Sequence, residues 1–516
     1  MTTAALRITP IRTAVLWLPW IGLALQIGIS SQPLNAGCAL LAAFSGWLLL
    51  FDSFREERWA LYPLSSFVLL GIVIVKSVGP LLFTAFEGHA LIYNLTLPLR
   101  LFGQLLLLAV VAIVSHWLYR QQHWLQQLRW GLARGLGLLA ITEPLSRPAV
   151  LLLAALGASG WAASIALEPG SIDEPLPVKL AEAFTLLSSV LVVLVCRPLV
   201  QERFRSLRPL DLQLLGAGLA VLLVISFAVN LRSVFAVPLL SLVLALLLEG
   251  LFGLIRFQLK VLLPLLLVMV LGMPFLSDLA TTIVLTRDYR STTGAAEMVS
   301  MTLQQLGRRD ELAERRQQDR EAGSNDWDEV YLDNVFLARF CNLKFDDNAL
   351  ALEQQISSTG RKLMRSYYFE RLIATAPRQL LALFGIANDD KIEINGRSFG
   401  DELYALTSGD PYARGGFRTG HFIGSDWVVF GWWSLPLLVL VLLPLFAMVD
   451  ALQARPSGSL LLNPLVITQL VPLLTLSNSE SLVSFLQLML RVVPQVVLTY
   501  AVAAWVGRGL FPAQEA

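Results

Sequence analysis

The residues best placed for chemistry are cations at the edges of apolar stretches. Lys76 lies near one end of the third long stretch, Arg100 at the start of the fourth, and Arg232 between the seventh and eighth. Arg287 and Arg290 follow the ninth, and Arg491 stands about a third of the way into the twelfth. A cation at the bilayer centre costs about 2.5–3.5 kcal/mol on insertion scales, so Arg491 is expected to face protein or a wet cavity. Guanidinium groups stay charged and offer paired donors, which suits a phosphate or pyrophosphate group. The plainer reading pairs each cation with a carboxylate such as Glu182 or Asp278, or lets it reach lipid phosphates. Several cations at one level favour convergence on a shared anion.

Histidine is scarce: His89, His116, His123 and His421. His116 and His123 sit beside Trp117 and Trp124 and read as interfacial residues. His421 closes the run Arg418-Thr419-Gly420-His421 in a glycine-rich segment from Gly409 to Gly424, five residues before Asp426. A histidine there can serve as a general base or contact a phosphate or sugar, with Asp426 as its partner and Arg418 as a further cation. Asp326, Asp328, Asp333, Asp346 and Asp347 offer oxygens for sugar hydroxyls or a metal. They lack the twelve-residue calcium-loop pattern and its closing glutamate, and read as solvated helix ends and caps. Cys38, Cys196 and Cys341 are far apart, show no metal spacing and read as small buried hydrophobes. No cofactor and no metal site is expected. The chain has no phosphate-cradling GxxxxGK[ST], no GxGxxG after a strand, no GxSxG and no HExxH. ATP-driven transport and zinc hydrolysis are accordingly disfavoured.

These residues are carried by a chain of 516 residues with a mean hydropathy of +0.64 and 15 % charged residues. Soluble domains carry about 25 % charge, so the deficit belongs to lipid-facing helices. A net charge of +1 argues against nucleic acid as a partner. The expected fold class is all-α: a polytopic membrane protein of about twelve transmembrane helices with one large, mostly helical periplasmic loop domain. Spans are predicted near 13–30, 36–52, 61–80, 98–118, 148–167, 180–197, 211–229, 234–254, 261–284, 427–449, 462–476 and 483–506. The first follows Arg7 and Arg12 without a small-residue cleavage site and reads as retained. The domains are then 1–286 (about nine helices), 287–426 (the loop domain) and 427–516 (about three helices).

Orientation follows from the arginines and lysines of the short loops. With the N-terminus inside, the inner loops hold Arg55 and Arg58, then Arg120, Arg129, Arg134 and Arg147, then Arg203, Arg205 and Arg208, then Arg256 and Lys260, then Arg455. The outer loops hold Glu87, then Glu168, Asp173 and Glu174 with Lys179, then Glu480. Both termini are expected in the cytoplasm and the polar block outside it. Within the block, 298–320 and 328–342 are predicted helical, and Asp347-Asn348 is a candidate cap for a helix to about Ser358. The basic, aromatic stretch 361–385 is predicted to lie on the membrane surface, kinked or ended at Pro377.

The layout resembles that of bacterial O-antigen polymerases and O-antigen ligases, a superfamily of polytopic membrane glycosyltransferases. The likeness rests on about twelve spans with one large outer loop between the ninth and tenth, on Asn230-Leu231-Arg232-Ser233-Val234-Phe235 opening the eighth span, and on Gly420-His421-Phe422 followed by Asp426 and Phe430-Gly431-Trp432. The chain departs from the family pattern at Phe422, at Ala236 and in the His-to-Gly spacing. The resemblance implies a lipid diphosphate held at Arg232 and a functional histidine at His421. It implies a glycosyltransferase of the bacterial inner membrane that uses a polyprenyl-diphosphate-linked glycan at the periplasmic face to build an O-antigen-like or exopolysaccharide chain. Arg491, Arg287, Arg290, Arg100, Lys76 and Arg418 are the expected diphosphate or sugar contacts. Partners would be the lipid-linked glycan, membrane lipids, and a chain-length regulator or export machinery. The rival readings are a lipid-linked glycan transporter, which predicts polar residues through both leaflets and often two related halves, and a membrane scaffold.

Overall fold

The computed structural model describes residues 8–143, 145–166, 176–196, 209–251, 272, 274–286, 289, 293–308, 310–312, 314, 327–376, 378–383, 394, 396–416, 418–453 and 462–512. Among the described residues the regular structure is helical and contains no strand. In chain order α1 (Ile8–Ile29), α2 (Pro33–Ser53), α3 (Pro63–Phe86) and α4 (Pro98–Gln121) are followed by the amphipathic α5 (His123–Leu138) and by α6 (Arg147–Ala166). Next come α7 (Leu176–Thr185), continued by a 3-10 segment Leu186–Leu194, then α8 (Pro209–Val229), α9 (Ser233–Leu251) and α10 (Pro274–Leu285). The polar insert holds α11 (Ala295–Gly307), α12 (Leu343–Gln355), α13 (Ser358–Ala374), α14 (Arg378–Leu383), α15 (Phe399–Ser408) and α16 (Phe422–Phe430). The chain ends with α17 (Ser434–Ala451), α18 (Pro464–Leu474) and α19 (Leu482–Leu510).

Among the described residues, eight helical segments are long and apolar enough to cross a membrane: α1 to α4, α8, α9, the stretch Phe422–Ala451 that α16 and α17 share, and α19. The protein is thus an all-helical membrane protein. The other four expected spans fall on α6, the Ala181–Leu194 segment, α10 and α18, which are apolar but shorter among the described residues. Proline opens α2, α3, α4 and α18, where its missing N–H is one the first helical turn leaves unpaired anyway.

Two of the long helices contain a single π-turn, Ile74–Val78 in α3 and Leu488–Val492 in α19. Each precedes a proline, Pro80 and Pro494. Proline has no N–H for the carbonyl four residues back, so the bonding widens, and Gly79 and Val493 donate to Ile74 and Leu488 five residues back. Only glycine fits position 79, because a Cβ there would lie 2.0 Å from the Ile74 oxygen. The two π-turns carry Lys76 and Arg491.

One apolar core runs through the helix bundle, with α2 packed on α1 and α4, and α17 on α4 and α5. A separate core belongs to the insert: Met364, Tyr367 and Tyr368 of α13 pack with Phe399, Leu403, Val428, Val429 and Val483. All three cysteines are buried and free.

The insert differs from its expected form in several places. Residues 328–342 form turns with one short 3-10 element, Leu337–Arg339, instead of a helix. Asp328 Oδ1 accepts from the Val330 N–H, and Asn334 Oδ1 accepts from the Phe336 and Leu337 N–H groups. Such side-chain bonds compete with the helical ladder. The helix expected from Asp347 begins four residues earlier and is capped by Asn342, whose oxygen accepts from the Lys344 N–H at 3.0 Å. In 361–385 the buried aromatics are Tyr367 and Tyr368, while Leu363, Phe369 and Ile373 are exposed. Pro377 lies outside the described residues, and α13 ends ahead of it. The expected boundary at 426 falls inside α16. Gly431, at φ +56°, breaks the chain there, and the exposed Trp432 and Trp433 precede α17.

Candidate functional site

The N-terminus of α16 gathers a cluster of buried ionisable groups. His421 caps this helix from an extended backbone, and Gly420 before it packs directly on the backbone of Gly400 and Phe399. Its Nδ1 accepts from the Ile423 N–H at 3.3 Å and its Nε2 donates to the Ser477 carbonyl at 2.7 Å. Asp346 Oδ1 lies 3.2 Å from Nδ1. The same carboxylate takes two bonds from Lys76 Nζ, at 3.0 and 2.8 Å. Lys76, Asp346 and His421 are all at most 2 % exposed. Burial, and the Lys76 charge with it, holds His421 well below the usual histidine range. Burial pushes the Asp346 carboxyl up against the pull of Lys76. A neutral imidazole with its proton on Nε2 satisfies both ring bonds.

Asp346, not Asp426, is therefore the carboxylate beside His421. Asp426 faces the other way: it accepts from the Leu482 N–H at 3.2 and 3.1 Å and from the Tyr368 hydroxyl, which ties α16 to the start of α19.

Three of the expected substrate-binding cations are held by carboxylates. Lys76 is paired as above. Arg100 bonds Glu353, which also takes Arg361 at 2.7 Å. Arg418 pairs with Asp401 at 3.5 Å, donates to the Ala413 carbonyl at 2.7 Å and lies over the Tyr404 ring at 4.1 Å. A cation held in low dielectric needs its countercharge close by, and the insert supplies it from α12 and α15. These pairs fasten the insert to the bundle or to itself and do not line open space. Arg232 is half-buried in the turn between α8 and α9 and is engaged by neighbours. Beside it Asn230, at φ +53°, donates to Thr286 Oγ1 at 3.2 Å. Arg287 and Arg290 lie outside the described residues. Arg491 is exposed, and no hydrogen bond or ion pair holds it among the described residues.

Next to this cluster is an open cleft of about 390 Å³ between the end of α18 and the start of α19. Its polar lining is Thr475, Asn478, Ser479, Ser484 and Gln487, with Pro472, Leu476, Leu488 and Val492 as the apolar part. Its wall is pinned from behind by the cap of α16: His421 donates to the Ser477 carbonyl, and the Phe422 N–H donates to the Ser479 carbonyl at 3.1 Å. Arg491, which is exposed, lies in the chain between the lining residues Gln487 and Val492. Hydroxyls and amides with an exposed cation nearby in the chain suit a neutral polyhydroxylated group attached to an anion.

By sequence Asp346 reads as a solvated cap, whereas it is buried against Lys76. The readable cue was Lys76 itself, since a lysine inside an apolar helix demands a carboxylate. Its neighbour Asp347 is a cap, but of another helix: it accepts from the Thr96 and Leu97 N–H groups, both at 2.7 Å, at the start of α4. Compared with protein-family models, curated proteins and solved structures, the chain has no match.

Proposed function

We propose that this chain is a glycosyltransferase of the bacterial inner membrane. Its donor is a polyprenyl-diphosphate-linked oligosaccharide, and it builds an O-antigen-like or exopolysaccharide chain at the periplasmic face. The observation that carries this reading is the 390 Å³ cleft with hydroxyl and amide groups in its wall, formed in part by Val492, the chain neighbour of the exposed Arg491. An acceptor hydroxyl oxygen attacks the anomeric carbon, the bond from that carbon to the diphosphate oxygen breaks, the diphosphate leaves with the electron pair, and the hydroxyl proton passes to the departing diphosphate. Arg491 and Arg232, with Arg287 and Arg290, stabilise the charge that grows on the leaving group. The walls of the cleft hold the sugar. His421 is a positioning residue in this scheme, because both its ring nitrogens are occupied. Lys76, Arg100 and Arg418 keep the insert in place over the bundle.

The test is polymer formation by purified, reconstituted protein supplied with lipid-linked glycan. Arg491→Ala is expected to abolish polymer while the protein still inserts and keeps its thermal stability. Arg491→Lys is expected to retain a minor part, since it keeps the charge and loses the paired donors. Wild-type polymer length and rate in Arg491→Ala would overturn the assignment. Movement of the lipid-linked glycan across the bilayer with no new glycosidic bond would replace the enzyme by a transporter.

A further inference from the structure

Away from the cleft, the loop between α3 and α4 meets the turn-rich start of the insert. Glu87, His89 and Asp333 converge there with one donor atom each, all within 4.8 Å of one another. The donors come from segments 244 residues apart, so no ligand spacing marks them in the sequence. Each is fixed before any ligand arrives. The Glu87 oxygens accept from the Asp333 and Asn334 N–H groups, both at 2.8 Å. Gly88, at φ +75°, turns the chain so that His89 follows on the same side. The His89 ring stacks on Tyr93 at 4.2 Å with 6° between the planes, and its Nε2 lies 3.2 Å from Asp333 Oδ2.

We propose that Glu87, His89 and Asp333 bind one divalent transition-metal ion of the zinc class. Zinc takes nitrogen and carboxylate oxygen at about 2.0–2.2 Å, so donors around a tetrahedral ion stand roughly 3.3 Å apart. The His89–Asp333 separation meets this as it stands, and Glu87 must move by up to about 1.5 Å, sharing its oxygens between the ion and the Asp333 and Asn334 N–H groups. One imidazole with two carboxylates suits zinc or manganese better than calcium, which takes oxygen donors throughout. All three side chains are half-buried, so an ion can enter and keep water as its remaining ligand. The ion would clip the loop after α3 to the insert.

The experiment is zinc titration by calorimetry of full-length, tag-free protein in detergent after chelator treatment. One saturable zinc site per chain is expected. His89→Gln and Asp333→Asn are each expected to weaken it at least about tenfold. His123→Gln, at an exposed histidine whose Nε2 meets the Gln127 amide, leaves it unchanged. Should His89→Gln not fold, Asp333→Asn and the zinc-induced rise in wild-type melting temperature decide the matter. Absence of a saturable site, or affinity unaffected by both substitutions, would mean a plain histidine–carboxylate ion pair and overturn the proposal.

Discussion

His421 Nε2 lies 2.7 Å from the main-chain oxygen of Ser477, and the two residues belong to different walls of one structure. His421 caps the last helix of the insert. Ser477 lies in the short segment joining α18 to α19, whose other side faces the cleft. The bond therefore sets where the cleft wall stands relative to the insert. Because Nδ1 accepts from the helix it caps, the ring has no lone pair to offer a substrate.

Replacing His421 separates a strut from a base. Glutamine can carry an N–H to the position of Nε2, so His421→Gln is expected to keep polymer formation within about an order of magnitude of wild type. His421→Ala leaves a buried carbonyl unpaired, which costs about 1–3 kcal/mol and displaces the wall. A general base would behave differently, since losing one lowers the rate by about 10²–10⁴ whichever residue replaces it. Turnover of the two variants on the same lipid-linked donor decides between the roles.

Acid should destabilise the protein partly through this ring. The folded value of His421 lies below its ordinary value of 6.5, so the unfolded chain takes up the proton first. The neutral ring's contribution is complete above pH 6.5 and is lost as pH falls below it, by up to about 1.4 kcal/mol per unit. Asp346, raised from 3.8, acts with the opposite sign and is present in both proteins being compared. Melting temperatures at pH 7.5 and 5.5 are expected to fall more for wild type than for His421→Gln. An equal fall would show that the ring is protonated in the folded protein.

The Lys76–Asp346 pair is expected to show the asymmetry of buried ion pairs. Lys76→Met alone strands a carboxylate in the core and should cost about 3–5 kcal/mol. Lys76→Met with Asp346→Leu removes both charges and should recover much of that loss. Thermal unfolding of the single and double variants gives the coupling. A double variant as unstable as the sum of its parts would mean the two groups do not interact.

Much of the bundle was legible because the length of an apolar span is a local property of the chain. The cations were also legible as residues that a lipid-facing helix cannot carry alone. Their partners were not, because Asp346 and Glu353 reach Lys76 and Arg100 across 270 and 253 residues of sequence. The π-turns could have been suspected from Lys76 and Pro80, and from Arg491 and Pro494, since each proline withholds a bond within one turn of the charge. The 328–342 segment misled for the opposite reason. Its apolar spacing fits a half-buried helix, but Asp328 and Asn334 bond their own backbone first.

The crossing of α12 and α16 is the last point at which sequence, packing and site can be tested together. Asp346 and His421 each precede the crossing by three residues, at Ala349 and Gly424. A Cβ on residue 424 would lie 2.5 Å from the Ala349 carbonyl carbon and Cβ, and neither can swing aside. Gly424→Ala must therefore push the helices apart, at a cost of about 1–3 kcal/mol, and stretch the 3.2 Å contact between Asp346 and His421. The Ser477 bond would move with it, so polymer formation should fall further than stability does. Gly28→Ala on α1 is the control, because nothing lies within 4 Å of a Cβ there. That change should leave activity intact and hold or slightly raise the melting temperature, as alanine is the better helix former. Matching melting curves and activities for the two variants would show that the α12–α16 contact does not set the geometry of the cleft.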